Sequence, residues 1–316
     1  MRDFSASVAK DKEQPSDFAR EKFDLTNFSA YQAWREKKLA EYPTSADELI
    51  VNLADLGQPT EGEKSSIIAM CRRAGMAIYH VNVQSTFAQD PDVLRPDIRK
   101  FGAALGLGDT ETHRSADDDG IVAIEVTQAD TRRGFIPYTT RALSWHTDGY
   151  YNPVSSPIRG MLLHCVRPAA QGGINALLDP EIAYIRLRDK DPAMVAALMH
   201  PQAMTIPESV EEDGSVRPVS VGPVFLIDKL GRMTMRYTAR TRNIHWREDH
   251  DTRAAVAFLN QLLAGEEEPL IIKYRLAENQ GLISNNVLHT RTAFENGESA
   301  ARLLYRVRYK EQIAGT

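Results

Sequence analysis

The sequence predicts a mainly β protein with flanking helices, and three observations support that prediction. Several short runs alternate apolar and polar residues, or are rich in β-branched and aromatic residues, as strands are. Other segments place their apolar residues at helical spacing. In the final third, three strand-like runs occur with no long helix between the last two, which favours antiparallel pairing. The predicted strands are residues 76–83, 121–126, 221–228, 232–238, 270–275, 282–287 and 301–309.

Turn and capping signals define the ends of several elements. Thr60 and Glu63 have the spacing of a capping box, and Gly75 follows as a helix stop, which predicts a helix between them. The next residues, 76–83, alternate as a half-buried strand does. Lys229-Leu230-Gly231 is expected to join two strand-like runs as a hairpin. Helical spacing also covers residues 181–189, 192–199 and 252–263.

Length and composition indicate a folded chain with one main domain. The chain has 316 residues, of which 42% are hydrophobic and 26% are charged, as in an ordinary globular protein. We predict a single domain over residues 46–316, preceded by an N-terminal arm over residues 1–45. The scattered aromatic residues of this arm could pack on a neighbouring surface, or they could form a subunit contact in a homodimer or homotetramer.

Charge and hydropathy argue against several classes of partner. A net charge of −5 offers no broad attraction to nucleic acid or to anionic membranes, so we expect a small-molecule substrate. No apolar run reaches the roughly 18 residues of a membrane span, and the N-terminus lacks the apolar stretch of a signal peptide. Cys71 and Cys165 lie far apart and indicate neither a disulfide framework nor a zinc knuckle. A cytoplasmic location is therefore expected.

A candidate metal site begins at His146 and Asp148. In extended chain, residues two apart leave the same face, about 6.5 Å apart at Cα, so both side chains can reach one cation. A distant histidine would complete a 2-His-1-carboxylate triad, the ligand set of non-haem Fe(II) oxygenases. His289 is the candidate for that position, with His245 and His250 as alternatives. A lone His-x-Asp is more often structural, so its context must decide.

That context includes a basic strand at residues 301–309. Strand alternation places Arg302, Leu304, Arg306 and Arg308 on one face, with apolar and aromatic residues on the other. Guanidinium groups that face a pocket would bind carboxylates well, because their planar fork matches a carboxylate. The alternative is a solvated or salt-bridged face.

Five segments together resemble the taurine dioxygenase superfamily, which includes gamma-butyrobetaine hydroxylase and clavaminate synthase. They are Ser144-Trp-His-Thr-Asp-Gly-Tyr-Tyr151, Gly160-Met-Leu-Leu-His-Cys-Val166, Gln171-Gly-Gly-Ile-Asn175, Asn286-Val-Leu-His-Thr-Arg-Thr-Ala-Phe294 and Arg302-Leu-Leu-Tyr-Arg306. The resemblance implies a double-stranded β-helix, a distorted jelly roll. It also implies a dioxygenase that binds Fe(II) through His146, Asp148 and His289 and uses 2-oxoglutarate and O2, releasing succinate and CO2.

The resemblance also assigns expected roles to individual residues. Arg302 resembles the arginine that binds the distal carboxylate of 2-oxoglutarate, and Arg306 resembles one that often contacts a substrate anion. Asn175 stands where relatives commonly place a small hydroxyl residue, and its amide could still donate to 2-oxoglutarate. Tyr150, beside the iron ligands, and Arg240, on the predicted hairpin, are further substrate candidates.

The substrate expected from these residues is small, polar, and anionic or zwitterionic. Hydroxylation of an aliphatic C–H bond is the expected outcome, while desaturation, cyclisation and fragmentation stay open. Arg236 and Arg242 are alternatives to Arg306 as the substrate contact. Two other functions also remain open: a small-molecule-binding protein of the same fold without oxygenase activity, and a zinc hydrolase.

Overall fold

Strand pairing organises the chain around two larger β-sheets. The computed structural model describes residues 18–82, 91–111, 117–126, 136–210, 214–265, 268–298 and 301–316. The helices are α1 Phe18–Glu21, α2 Phe28–Glu41, α3 Glu61–Ala74, α4 Pro91–Ala104, α5 Pro180–Lys190, α6 Pro192–Leu198 and α7 His250–Ala264, with short 3-10 turns at Ala46–Leu49 and Ile136–Tyr138.

The strands are mostly short. They are β1 Ile50–Leu53, β2 Met76–Val81, β3 Val122–Glu125, β4 Leu143–His146, β5 Gly160–Arg167, β6 Gln171–Gly172, β7 Asn175–Leu178, β8 Met204–Ile206, β9 Ser209–Val210, β10 Val216–Arg217, β11 Ser220–Gly222, β12 Phe225–Ile227, β13 Met233–Met235, β14 His245–Trp246, β15 Ile272–Tyr274, β16 Gln280–Ser284, β17 Leu288–Arg291, β18 Phe294–Glu295 and β19 Leu303–Tyr309. Nearly all pair antiparallel, as the sequence predicts, and β1 with β2 is the parallel exception in the six-stranded sheet.

The six-stranded sheet has the order β1-β2-β16-β5-β19-β3, and the four-stranded sheet has the order β15-β7-β17-β4. One face of the larger sheet packs on α3 and α4 through residues such as Ile67, Phe101 and Tyr305. The opposite face joins the smaller sheet and helices α5 and α7 in the main core. The helices thus flank the sheets, as predicted.

Burial on both faces corrects one prediction. Residues 76–83 were expected to form a half-buried strand, but five of the six residues of β2 are buried. Helices cover one face of this sheet and the main core covers the other. The side chains of β2 that alternate between the two faces are therefore buried on both. Val83 lies outside the described residues.

The predicted helix after Thr60 is confirmed in detail. Thr60 and Glu63 form the reciprocal capping box at the start of α3, and Gly75 ends the helix in a left-handed conformation with φ of 70°. The predicted helices at 181–189, 192–199 and 252–263 correspond to α5, α6 and α7. Helix α2 was not predicted, because half of its 14 residues are polar and its apolar residues form no clear stripe at helical spacing.

Two strand predictions need correction. The run 221–228 divides into β11, which pairs with β8, and β12, which forms the expected hairpin with β13. Pro223 lies between them and has no N–H for a strand ladder, which ends the first strand. The run predicted at 282–287 is β16 at Gln280–Ser284, and Asn286 beyond it is left-handed with φ of 54°.

The N-terminal part of the described chain packs on α5 of the same chain. Tyr31 donates a hydrogen bond to Asp189 at 2.7 Å, and Lys38 reaches Asp179 at 2.6 Å and Glu181 at 2.7 Å. Lys38 and Asp179 are both buried. A subunit contact through residues 1–45 stays a prediction, and residues 1–17 lie outside the described part. No helix among the described residues is long and apolar enough to cross a membrane.

The buried ion pair of Lys38 leads to a stability prediction. Lys38→Met leaves the Asp179 carboxylate buried without its cation, so the free energy of unfolding should fall by about 3–5 kcal/mol. Urea denaturation followed by circular dichroism measures the change. Lys37→Met, at an exposed neighbouring position, is the control and should change stability by less than about 0.5 kcal/mol. Equal effects of the two variants would contradict the prediction.

Candidate active site

Strand pairing brings the three predicted metal ligands together. His146 ends β4 and lies directly opposite His289 of β17 in the antiparallel register. Their ring centroids are 4.2 Å apart. Asp148 follows in the turn after β4, and one ligand atom from each of the three residues lies within 4.8 Å of the others. The structure therefore joins a local pair to a histidine some 140 residues away.

Backbone carbonyls orient both imidazoles. Nδ1 of His146 lies 2.8 Å from the Ser144 carbonyl oxygen, and Nδ1 of His289 lies 2.9 Å from the Val287 carbonyl oxygen. Because a carbonyl can only accept, each Nδ1 carries the proton and each Nε2 keeps its lone pair for a metal. Burial, with the neighbouring His289, lowers the pKa of His146 to about 3, and burial also lowers the pKa of His289. Both rings are thus neutral at physiological pH.

Asp148 is held at its backbone and at one carboxylate oxygen. Its N–H donates to Oδ1 of Asn286 at 2.8 Å, while Nδ2 of Asn286 donates to the Asp148 carbonyl at 2.9 Å. Nη1 of Arg306 lies 3.2 Å from Oδ1 of Asp148. The other oxygen, Oδ2, is buried without a hydrogen-bond partner within the described structure. A buried orphan oxygen beside two free imidazole nitrogens fits a divalent cation.

Two arginines set the charge of this carboxyl. Burial alone would raise the pKa of Asp148, but Arg306 and Arg308 outweigh it and hold the pKa well below its usual range. The carboxylate is therefore ionised and able to bind a metal. The adjacent Gly149 has φ of 65°, and a Cβ there would lie 2.4 Å from a side-chain carbon of Ile158, so glycine is required for this turn.

A cavity between the two larger sheets opens beside the triad. Its polar lining comprises His146, Asn175, His289, Arg291, Arg302 and Arg306, and its apolar lining comprises Ile124, Pro137, Leu143, Met161, Leu163 and Leu304. The expected alternation of β19 is confirmed here, because Arg302, Leu304 and Arg306 face the cavity while Leu303 and Tyr305 belong to the opposite core. The arginines thus face a pocket and not solvent.

Two of the cavity arginines share one aromatic ring. The guanidinium carbons of Arg302 and Arg291 lie 4.9 Å and 4.6 Å from the ring centroid of Phe294. Burial lowers the pKa of each to about 10, and the nearby Arg302 contributes to the shift at Arg291. No carboxylate of the described residues forms an ion pair with Arg302. A buried cation in this position favours binding of an anion.

Arg291 was not among the predicted site residues. Its guanidinium donates to the carbonyl oxygens of Thr139, at 3.1 Å, and of Arg141, and so ties the segment before β4 to β17. The signal in the sequence was its position two residues after His289, which puts both side chains on one strand face. Asn175 lies opposite Arg291 in the register of β7 and β17, and its amide donates to the Tyr274 carbonyl at 3.4 Å.

The other predicted residues lie outside the cavity lining. The ring of Tyr150 is 6.5 Å from that of His146 but is not part of the cavity lining. Arg240 and Arg242 are exposed. Arg236 is buried and donates to Ser220 Oγ at 2.7 Å and to the Pro223 carbonyl at 3.3 Å. Substrate contacts of Tyr150 and Arg240 stay predictions.

Comparison with known protein families agrees with this geometry. The model of the family described as "Taurine catabolism dioxygenase TauD, TfdA family" matches residues 52–308, which include all three triad residues and the arginines of β19. The chain belongs to this family. The family resemblance expected from the sequence is thereby confirmed.

Two curated relatives share 30% identity with the chain. A uridine-5'-phosphate dioxygenase of Amycolatopsis sp aligns over 178 residues, which are 55% of this chain and 62% of that protein. A second uridine-5'-phosphate dioxygenase, of Streptomyces sp, aligns over 221 residues, 64% of this chain and 74% of that protein. The alignment with the first relative thus spans less than two thirds of its length.

Solved structures show the same fold. An asparagine oxygenase in complex with Fe(II), 2S,3S-3-hydroxyasparagine and succinate superposes with a TM-score of 0.56 at 15% identity, over 92% of this chain and 88% of that chain. The non-heme iron oxygenase OrfP in complex with Fe, succinate and (3S)-hydroxy-L-Arg gives a TM-score of 0.60 at 15% identity, over 81% and 84% of the two chains. The predicted double-stranded β-helix is confirmed.

The triad geometry predicts which histidines a metal needs. His146→Ala, Asp148→Ala and His289→Ala should each lower the bound Fe(II) to less than about a tenth of one ion per chain, since two ligands hold a divalent ion poorly. Metal content after anaerobic loading and desalting measures this. His245→Ala and His250→Ala are the controls, because both side chains are exposed, and should keep full metal content. Loss of iron in either control would reopen the assignment of His289.

Proposed function

We propose that this member of the TauD, TfdA family is an Fe(II)- and 2-oxoglutarate-dependent dioxygenase that oxidises an aliphatic C–H bond of a small, polar, anionic substrate. Hydroxylation is the expected outcome, with succinate and CO2 as co-products. The observation that supports this most directly is the cluster of His146, Asp148 and His289 beside a cavity with three arginines. Family membership and the fold support the same reaction class.

Fe(II) fits the donor set better than structural zinc does. Two neutral imidazoles and one carboxylate, with no thiolate among them, form a facial triad that leaves coordination positions open. When bound, the iron would activate O2 for oxidation of a C–H bond. The protein's own contribution is to fix His146 and His289 through backbone carbonyls and Asp148 through Asn286, so that the three ligands are preorganised.

The cavity arginines support 2-oxoglutarate as co-substrate. Arg302 is buried, lacks an acidic partner among the described residues and lies in the same cavity as the triad, so a carboxylate would supply its missing counter-ion. Asn175 on the neighbouring wall offers an amide N–H as a second donor. Apolar side chains complete the wall and exclude water from the ion pair, which strengthens it.

The curated relatives favour a phosphate ester as the primary substrate. Both are named uridine-5'-phosphate dioxygenases, so we infer that this chain accepts a nucleoside 5'-phosphate or a similar phosphate monoester. Arg306 supports anion binding near the metal, because its Nε is buried and has no partner among the described residues. Arg240 and Tyr150 are proposed as further contacts nearer the surface.

Two measurements, made one after the other, test the proposed function. Anaerobic addition of Fe(II) and then 2-oxoglutarate should produce a visible absorption band that the Asp148→Ala variant lacks. Succinate release, measured by mass spectrometry, should then be at least about tenfold higher with the correct substrate than without a primary substrate. The compounds offered separately are uridine-5'-phosphate, uridine, amino acids, betaines and sulfonates. Metal binding without the band or succinate would indicate a binding protein or a zinc hydrolase instead. Equal rates with uridine and uridine-5'-phosphate would contradict the phosphate proposal.

Arg302 and Arg306 should have separable roles. Arg302→Ala removes the proposed partner of a 2-oxoglutarate carboxylate, a loss of about 3–5 kcal/mol, so the KM for 2-oxoglutarate should rise more than about a hundredfold. Arg306→Ala should mainly raise the KM for the primary substrate and the ratio of succinate to oxidised product. Steady-state kinetics at saturating Fe(II) measure both effects. If the two variants behave alike, or if Arg306→Ala changes only the 2-oxoglutarate dependence, this division of roles is wrong.

A further inference from the structure

Beside the contact of Arg306 with Asp148 lies a further buried ion pair, between Arg308 and Glu111, which is not part of the cavity lining. Arg308 is the next residue on the same face of β19 after Arg306, and its Nη2 forms an ion pair with Oε2 of Glu111. Its Nη1 lies 2.9 Å from the Tyr151 hydroxyl and 3.9 Å from Oδ1 of Asp148. Arg308 and Glu111 are 5% and 13% exposed at their side chains, so water screens this pair weakly.

Both arginines act on the same oxygen of Asp148. Arg306 at 3.2 Å and Arg308 at 3.9 Å lie against Oδ1, whereas Oδ2 has no hydrogen-bond partner within the described structure. A carboxylate held at one oxygen presents the other to a metal in a single orientation. Arg306, the nearer of the two, therefore favours one-oxygen coordination through Oδ2.

Glu111 balances the charge of this arrangement. Arg306 and Arg308 carry two positive charges, and Asp148 alone would supply one negative charge. With Glu111 the four side chains sum to zero. Asn152 donates to the other oxygen of Glu111 at 2.6 Å, and the Glu111 N–H donates to the Arg308 carbonyl at 2.9 Å, so the carboxylate is fixed in place.

We infer that Glu111 is a positioning residue for Asp148, which acts by keeping the Arg308 guanidinium from competing with the metal for the Asp148 carboxylate. Without Glu111, the Arg308 guanidinium would be a buried cation whose nearest anion is Asp148, 3.9 Å away. The carboxylate would then turn toward Arg308 and bind the metal less well. This inference rests on the metal site of the proposed function.

Metal affinity tests the inference without reliance on turnover. Glu111→Gln, which keeps the shape of the side chain and removes its charge, should weaken Fe(II) binding by about 10–100-fold in anaerobic equilibrium dialysis. The double variant Glu111→Gln with Arg308→Met removes both charges of the pair and should recover most of that affinity. If Glu111 contributes only to stability, the folded single variant should keep its Fe(II) affinity within about twofold of the wild type, and the double variant should not differ from it.

Glu268→Gln is the matched control, because Glu268 is also a buried carboxylate in an ion pair, with Arg186, and contacts none of the three ligands. It should lose stability as Glu111→Gln does, with less than a twofold change in Fe(II) affinity. If Glu111→Gln does not fold, Glu111→Asp replaces it as the test. This variant keeps the charge on a shorter side chain and should weaken Fe(II) binding by less than about tenfold.

The outcomes distinguish this inference from the proposed function. Wild-type protein that binds no Fe(II) would overturn both. Wild-type protein that binds Fe(II), with Glu111→Gln unchanged or with no recovery in the double variant, would overturn the positioning role and leave the proposed function standing. Equal losses of affinity in Glu111→Gln and Glu268→Gln would also overturn it, since the effect would then follow stability and not Asp148.

Discussion

The antiparallel pairing of β4 with β17 is the interaction on which the candidate site depends. It places His146 opposite His289 and leaves Asp148 in the turn that follows, so that backbone hydrogen bonds set the spacing of the three proposed ligands. The same strand β17 carries Arg291 and pairs with β7, which carries Asn175. A shift of one residue in this register would turn His289 to the opposite face of the sheet and remove the site.

The second organising feature is the distribution of buried charge. Three arginines line the cavity and a fourth, Arg308, lies 3.9 Å from Oδ1 of Asp148, while the carboxylates that pair with them in the described structure are Asp148 and Glu111. Arg306 and Arg308 are compensated by these two acids, whereas Arg302 and Arg291 have no acidic partner within the described ranges. The site is therefore balanced around the metal ligands and cationic where the co-substrate is proposed to bind. This asymmetry leaves the uncompensated positive charge of the cavity at Arg302 and Arg291.

Much of the fold and of the candidate site was accessible from local patterns. The capping box at Thr60, the hairpin before β13 and the alternation of β19 are set by short-range geometry, and the structure contains them. Helix α2 was missed because its stability comes from packing and ion pairs with α5, some 140 residues later in the chain. The burial of both faces of β2 was missed for the same kind of reason, since α3 and α4 cover it.

The sequence by itself determined the candidate ligands and the family resemblance, because His146 and Asp148 are close in the chain and five segments in order resemble the taurine dioxygenase superfamily. Arg302 and Arg306 keep a spacing that an extended strand converts into a shared face. Only the tertiary structure decided which distant groups complete the site. Nothing in local spacing links His289 to His146, Asn286 to the Asp148 backbone, or Glu111 to Arg308. These contacts join residues far apart in the chain, and strand register across two sheets brings them together.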